Sequence, residues 1–293
     1  MPFDRSEDRN VRFFDKTKPD TVLGGLVQNG LVTEKKFLSM LGIVLVTEAP
    51  IYVYAKATGN AVSIVDKPLQ IGDYMVRCAS EIQVNNEPWI QRIISYNVSG
   101  REGAFRDGIR SRDGKCVISG MVKRSKSDNW TMFEAAHVFP LEKEGLWTQC
   151  NHGRWITGID EEKERLRIQY NYGRWITDID DSVGISKINS LQNGLLFRAD
   201  IHGAFDQYLI SVNPDDSYKV VVFDVDNSGV DGRSLDPVCR NPEDPHRVSD
   251  ELLRWHFRQS VLANMRGAGQ PVFEHDFLPG TDMMREVRVG VGG

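Results

Sequence analysis

Short runs of β-branched and aromatic residues punctuate the first hundred positions, at 43–46, 51–54, 61–65, 74–76 and 93–96. Turn formers separate them: Thr58-Gly59-Asn60, Gly72-Asp73, Asn85-Asn86 and Ser99-Gly100. Such a rhythm predicts a β-rich region over 21–100. One stretch departs from it. Thr33-Glu34-Lys35-Lys36 ahead of Phe37-Leu38 reads as a helix start with Thr33 as N-cap. Residues 1–20 are polar and charged and read as a flexible N-terminus.

The pattern changes at Arg101. Arg106 to Arg112 leads into a turn at Asp113-Gly114, followed by the apolar Cys116-Val117-Ile118. Residues 133–139 form a strand-like run closed by Pro140. After a long connection come Asn193-Gly194-Leu195-Leu196-Phe197 and a stretch of helical character over 199–205. Two further strands are predicted at 208–212 and 218–224, joined by the turn Asn213-Pro214-Asp215-Asp216. Ser249-Asp250-Glu251 opens a helix that runs to Arg266 and stops at Gly267 and Gly269. Inside the long connection, residues 151–160 recur at 171–180 with eight of ten positions identical. Two copies are too few for a solenoid and read as a local duplication. The expected organisation is a flexible 1–20, a β-rich domain at 21–100, a second domain at 101–225 carrying the duplication at 151–180, and a C-terminal helical extension and tail at 226–293. The fold class is α+β.

Composition narrows the classes. The chain has 293 residues, 40% of them apolar and 26% charged, the balance of a folded globular protein with a sizeable core. The longest apolar run, 40–46, is far too short to span a bilayer. Met1-Pro2-Phe3-Asp4-Arg5 lacks the apolar centre of a secretory signal. The four cysteines form no CxxC pair, so neither a disulfide scaffold nor a zinc knuckle is expected. An intracellular protein with no membrane partner is the expectation. Net charge is −5, yet 101–126 holds eight basic residues against three acidic ones, a local +5. A positive patch on an acidic chain guides a polyanion to one place.

The candidate chemistry lies in two segments. Glu134-Ala135-Ala136-His137-Val138-Phe139-Pro140 sets one histidine at the end of a short apolar strand. In the second segment Asn193 precedes His202 and Asp206, and the latter two are four residues apart on the predicted helix. That spacing puts an imidazole and a carboxylate on one helix face, an ordinary ligand pair for a divalent cation.

These residues resemble the HNH (ββα-metal) endonuclease family, and among its members fungal HNH proteins most closely. The resemblance extends to Arg110-Ser111-Arg112-Asp113-Gly114-Lys115-Cys116 before the motif and to Leu253-Arg254-Trp255-His256-Phe257 after it. It implies a β-rich N-terminal region, an HNH ββα-metal core and a C-terminal helix. It further implies a phosphodiester hydrolase acting on nucleic acid, with DNA the expected substrate. His137 would be the general base, an imidazole titrating near ~6.5. Asn193 would hold the hairpin in shape, and His202 and Asp206 would hold the divalent metal. Mg²⁺ is favoured over Mn²⁺, Ni²⁺ or Zn²⁺, because two protein ligands leave much of the ion's shell to water. Arg106, Arg110, Arg112, Lys115, Lys123 and Arg124 would contact phosphates.

Three departures from the family pattern stand out. Ala136 occupies a position that often supplies a further ligand, and an extended strand would carry Glu134 away from the site. Zinc-knuckle cysteines are absent. Fifty-five residues lie between His137 and Asn193, many more than in a compact motif. Ala136 and the acidic remainder motivate an alternative, a catalytically silent HNH-fold module that binds nucleic acid or a protein. Trp155, Trp175, Trp255 and His256 are read as packing residues, Cys116 as a small buried one, and Glu274-His275-Asp276 as surface charge.

Overall fold

Val11 and Phe13 alternate with Arg12, and both apolar side chains are wholly closed to solvent. They belong to β1 (Val11–Asp15), which lies inside a four-stranded sheet because both of its edges are occupied. β2 (Lys18–Leu26) pairs with it antiparallel and β5 (Gly72–Arg77) parallel, and β4 (Tyr52–Ala55) completes the order β2-β1-β5-β4. The computed structural model describes residues 5–88, 90, 92, 100–124, 129–157 and 186–267. Its fold is α+β. The expectation of a flexible 1–20 is corrected over the described part. Val11 and Phe13 need only a three-residue alternation to place one face of β1 on the core, and Arg5 and Arg9 anchor the chain ahead of it. Arg9 donates to the carbonyls of Asn264 (2.5 Å) and Gly267 (2.7 Å), and Arg5 to the Asn264 side chain (2.9 Å).

Thr33 caps α1 (Glu34–Val44), accepting from the Lys36 amide at 3.3 Å. Phe37, Met40, Leu41 and Val44 repeat at helical spacing and are buried. That spacing overrides the β-branched run at 43–46. Only β3 (Leu45–Val46) pairs, with β6 (Gln83–Val84). Residues 61–65 also form no strand; Ala61 makes a single bridge to Tyr54, and Ile64 is 78% exposed. The run at 93–96 lies outside the described residues.

In the second half, α2 (Gly100–Asp113) precedes β7 (Phe133–His137) and the short α3 (Glu144–Gln149). β8 (Gly194–Arg198) then leads directly into α4 (Ala199–Asp206). β9 (Ile210–Asn213) and β10 (Lys219–Val222) form an antiparallel pair, and α5 (Asp250–Met265) follows. One core surrounds the β7–β8 hairpin and includes Phe105, Ile109, Leu195, Phe197 and Phe205. The other lies on the four-stranded sheet around Phe13, Phe37 and Tyr74.

The expected boundary at 225 is not a packing boundary. α5 places Leu252 and Leu253 in the first core and Phe257, Val261 and Met265 in the second. β10 divides the same way, with Val220 and Val222 on one side and Val221 on the other. A strand and a helix each have two faces, and here both faces have a core to meet.

Among the residues read as packing, Trp255 lies 4.7 Å from the Phe139 ring and Trp155 stacks on His152 at 4.2 Å. His256 is fully buried, with its nitrogens taken by the Phe205 carbonyl (3.1 Å) and the Ser211 hydroxyl (2.8 Å). Cys116 is buried, and all four cysteines are free thiols. Trp175, 274–276, Lys126 and the second repeat copy lie outside the described residues. No helix among the described residues is long and apolar enough to cross a membrane.

Candidate active site

β7 and β8 meet antiparallel despite the length of chain between them, with Phe133 opposite Arg198 and His137 opposite Gly194. Leu195, Leu196 and Phe197 are fully buried, which holds β8 in place from the core side. Asn193, just ahead of β8, is also fully buried. Its Oδ1 accepts from the Phe139 amide (2.7 Å), and its Nδ2 donates to the carbonyls of Phe139 (3.1 Å) and Ile188 (2.9 Å). The Val138 amide donates to the Asn193 carbonyl (2.9 Å). One side chain therefore sets the path of the chain immediately after His137.

The His137 ring lies flat on Phe105 of α2, centroids 3.9 Å apart and planes 7° from parallel. Its Nε2 is 3.0 Å from Asn189 Oδ1. Gly194 makes this stack possible. A Cβ there would fall 2.4 Å from the Phe105 ring and 2.8 Å from Ile109, so a side chain would force α2 outward. The expected imidazole titrating near the ordinary value is corrected: burial pulls His137 down to about 4, and the Arg92 charge adds to the effect against the Asn189 hydrogen bond. The ring is neutral across the physiological range.

α4 begins where β8 ends and folds back along the hairpin. His202 Nε2 and Asp206 Oδ2 lie 3.2 Å apart. Glu134 Oε2 lies 2.6 Å from His202 Nδ1. This corrects the expectation that the strand carries Glu134 away. Glu134 does point away from the ring of His137, but α4 returns along that side of the hairpin. Burial disfavours a charged His202, yet Asp206 and Glu134 outweigh it and raise the ring to about 9. Asp206 is lowered to about 2: burial opposes ionisation, and the charges of Arg92 and His202 overcome it. Glu134 is lowered by its hydrogen bond to His202.

These donors could hold a divalent cation once His202, raised to about 9, gives up the Nε2 proton that faces Asp206. Two ligand atoms at about 2.0–2.2 Å from one ion sit about 3 Å apart in adjacent positions, close to the separation of Nε2 and Oδ2. A carboxylate on the far ring nitrogen is the usual way to orient a metal-binding imidazole, and Glu134 occupies that place. No group of three or more His, Cys, Asp or Glu side chains is arranged around one point among the described residues. Ala136 is buried in the core and offers nothing.

The basic residues separate into two sets. Arg106 is paired with its neighbour Asp107 (3.3 Å) near the surface, and Arg124 is exposed. Arg110 and Lys123 lie 5.1 and 4.6 Å from the Trp130 ring centroid. Arg112 does not form part of a phosphate-facing surface, which corrects its expected role. Lys115 pairs with Asp236 at 2.7 Å. The Arg112 side chain is 5% exposed and donates to Leu191 O (2.8 Å), His246 O (2.9 Å), Gly194 O (2.7 Å) and Asp113 Oδ1 (2.6 Å). Asp113 in turn accepts from the Leu196 amide of β8 (2.8 Å). Arg112→Ala is expected to cost about 3–5 kcal/mol, because it leaves the Asp113 charge buried without its partner. A lowered urea midpoint checks this; an unchanged midpoint would return Arg112 to the surface set.

The unit is a strand–strand–helix arrangement with an Asn-held histidine and a His–carboxylate pair four residues apart on the helix. Residues 116–213 match the family model described as HNH endonuclease, which spans β7, β8 and α4. Residues 8–83, the mixed sheet and α1, match a second model, described as a domain of unknown function (DUF8573). No curated protein and no solved structure matches the chain. None of these comparisons places it beside fungal members in particular. Sequence reasoning set Glu134 aside and missed Arg92, Asn189 and Phe105. Only Glu134, three positions before His137, carried a signal in its spacing.

Proposed function

We propose that this protein is a divalent-metal-dependent endonuclease that hydrolyses phosphodiester bonds, with DNA as its substrate. The observation that supports this best is the His202–Asp206 pair, spaced for one ion and backed by Glu134, beside a strand end that carries a neutral histidine. With Nε2–H donated to Asn189, the lone pair of His137 lies on Nδ1. Nδ1 takes a proton from water, and the resulting hydroxide attacks phosphorus as the ester oxygen leaves. His202 and Asp206 would hold the ion, Mg²⁺ in preference to Mn²⁺, Ni²⁺ or Zn²⁺, which would supply charge neutralisation at the phosphate. Asn193 and Gly194 keep His137 in register, and Arg106, Arg110, Lys123 and Arg124 are the phosphate contacts.

Nicking of supercoiled plasmid with Mg²⁺, Mn²⁺, Ni²⁺, Zn²⁺ or EDTA tests this. Metal-dependent nicking is expected from the wild type. His202→Ala/Asp206→Ala is expected to lose both nicking and measurable metal binding. The buried Ala136 and the depressed His137 favour one other reading, a silent HNH module that binds without cleaving. Wild-type protein that is folded but neither binds metal nor nicks would establish that reading instead.

A further inference from the structure

Arg92 lies in the chain between β6 and α2, remote in sequence from the hairpin, yet its side chain is only 6% exposed and reaches the centre of the site. One terminal nitrogen donates to the Val138 carbonyl (2.9 Å). The other donates to the His137 carbonyl (2.5 Å) and lies 2.9 Å from Asp206 Oδ1, an ion pair without hydrogen-bond alignment. The guanidinium lies 5.6 Å from the Phe205 ring centroid and 5.8 Å from that of Tyr208. A buried cation is tolerated only when its partners are close and well aimed, so this fork is built into the site.

Two consequences follow from the geometry. Asp206 has two oxygens, and the arginine takes Oδ1; the one facing His202 is Oδ2. The same planar group touches both the strand end that carries His137 and the helix that carries Asp206. Lysine, a single point charge, cannot span both in that way.

We infer that Arg92 is a positioning residue that holds Asp206 as a one-oxygen ligand and locks the base-bearing strand end to the ligand helix. This rests on the metal-dependent reading above. The arginine's positive charge beside the carboxylate weakens cation binding while keeping the geometry productive. Removing it is expected to strengthen binding and slow cleavage, a combination that loss of general stability does not produce.

The test uses the full chain and the metal ion alone. Mn²⁺ binding is followed by the electron paramagnetic resonance of the free ion, and the coordination of Co²⁺ by its visible absorption. Wild type, Arg92→Met and Arg92→Lys are compared, with circular dichroism melts to show folding. Arg92→Met is expected to bind Mn²⁺ at least about tenfold more tightly, to change the Co²⁺ spectrum, and to lower kcat for nicking with little change in KM. Arg92→Lys is expected to keep near wild-type affinity but to share the loss of kcat. If Arg92→Met does not fold, Arg92→Lys carries the test, and wild-type kcat in that variant overturns the inference. Folded Arg92→Met with wild-type Mn²⁺ affinity and Co²⁺ spectrum also overturns it. Wild-type protein that binds no Mn²⁺ overturns the nuclease reading, and this inference with it.

Discussion

His137→Ala is expected to lower the rate of metal-dependent plasmid nicking by about 10²–10⁴-fold, the usual contribution of a positioned general base. Metal affinity is expected to stay at the wild-type value, because no hydrogen bond or ion pair joins the His137 ring to His202 or Asp206 among the described residues. Equal nicking by wild type and variant, prepared identically, would remove His137 from the mechanism. The acid limb of the wild-type profile supplies a second check. A ring lowered to about 4 by burial stays neutral well below pH 6.5, so activity is expected to persist to lower pH than an exposed histidine would allow. Stability moves with the same group. The folded value lies below the ordinary 6.5, so between about 4 and 6.5 the unfolded chain binds the extra proton. Stability is therefore full above 6.5 and falls as pH drops through that window. The part due to His137 disappears from the pH dependence in the alanine variant.

Asn193→Ala is expected to be the most damaging single change near the site. It strands the Phe139 amide and the carbonyls of Phe139 and Ile188 in a place with no solvent access. Each buried polar group left unpaired costs about 1–3 kcal/mol, so a loss of about 3–5 kcal/mol is expected after partial relaxation. Urea denaturation measures it. Asn193→Asp keeps the acceptor for the Phe139 amide but removes both donors and buries a charge, so it is not expected to rescue. Under conditions where Asn193→Ala is still folded, nicking is expected to fall at least tenfold, because the chain after His137 has lost its tether. A folded variant with full activity would make Asn193 a residue of stability alone.

Local signals in the chain carried the motif region. Phe133 to Pro140 announced a strand and its end, and residues 199–206 announced a helix with His202 and Asp206 on one face; both are where the spacing put them. α1 began at the expected cap. Local signals failed where two periods competed. The run at 43–46 is β-branched, but Phe37, Met40, Leu41 and Val44 had already set a helical stripe. Val11 and Phe13 carried too short an alternation to stand out among their polar and charged neighbours. Arg112 counted as one of eight basic residues, although its side chain is spent on backbone carbonyls beside β8.

The sequence by itself determined the α+β class, the histidine at a strand end and the paired residues on the next helix. All of these are properties of spacing within a few turns or strands. Tertiary structure alone decided that Glu134 backs His202, that Gly194 leaves room for Phe105 to cover His137, and that Arg92 joins Asp206 to the hairpin. It also decided that the Arg112 side chain is buried against backbone carbonyls. The physical reason is the same in each case. A hydrogen bond or a ring contact acts over about 3–5 Å, and which residues come that close across long stretches of chain depends on how α2, α4 and the hairpin pack.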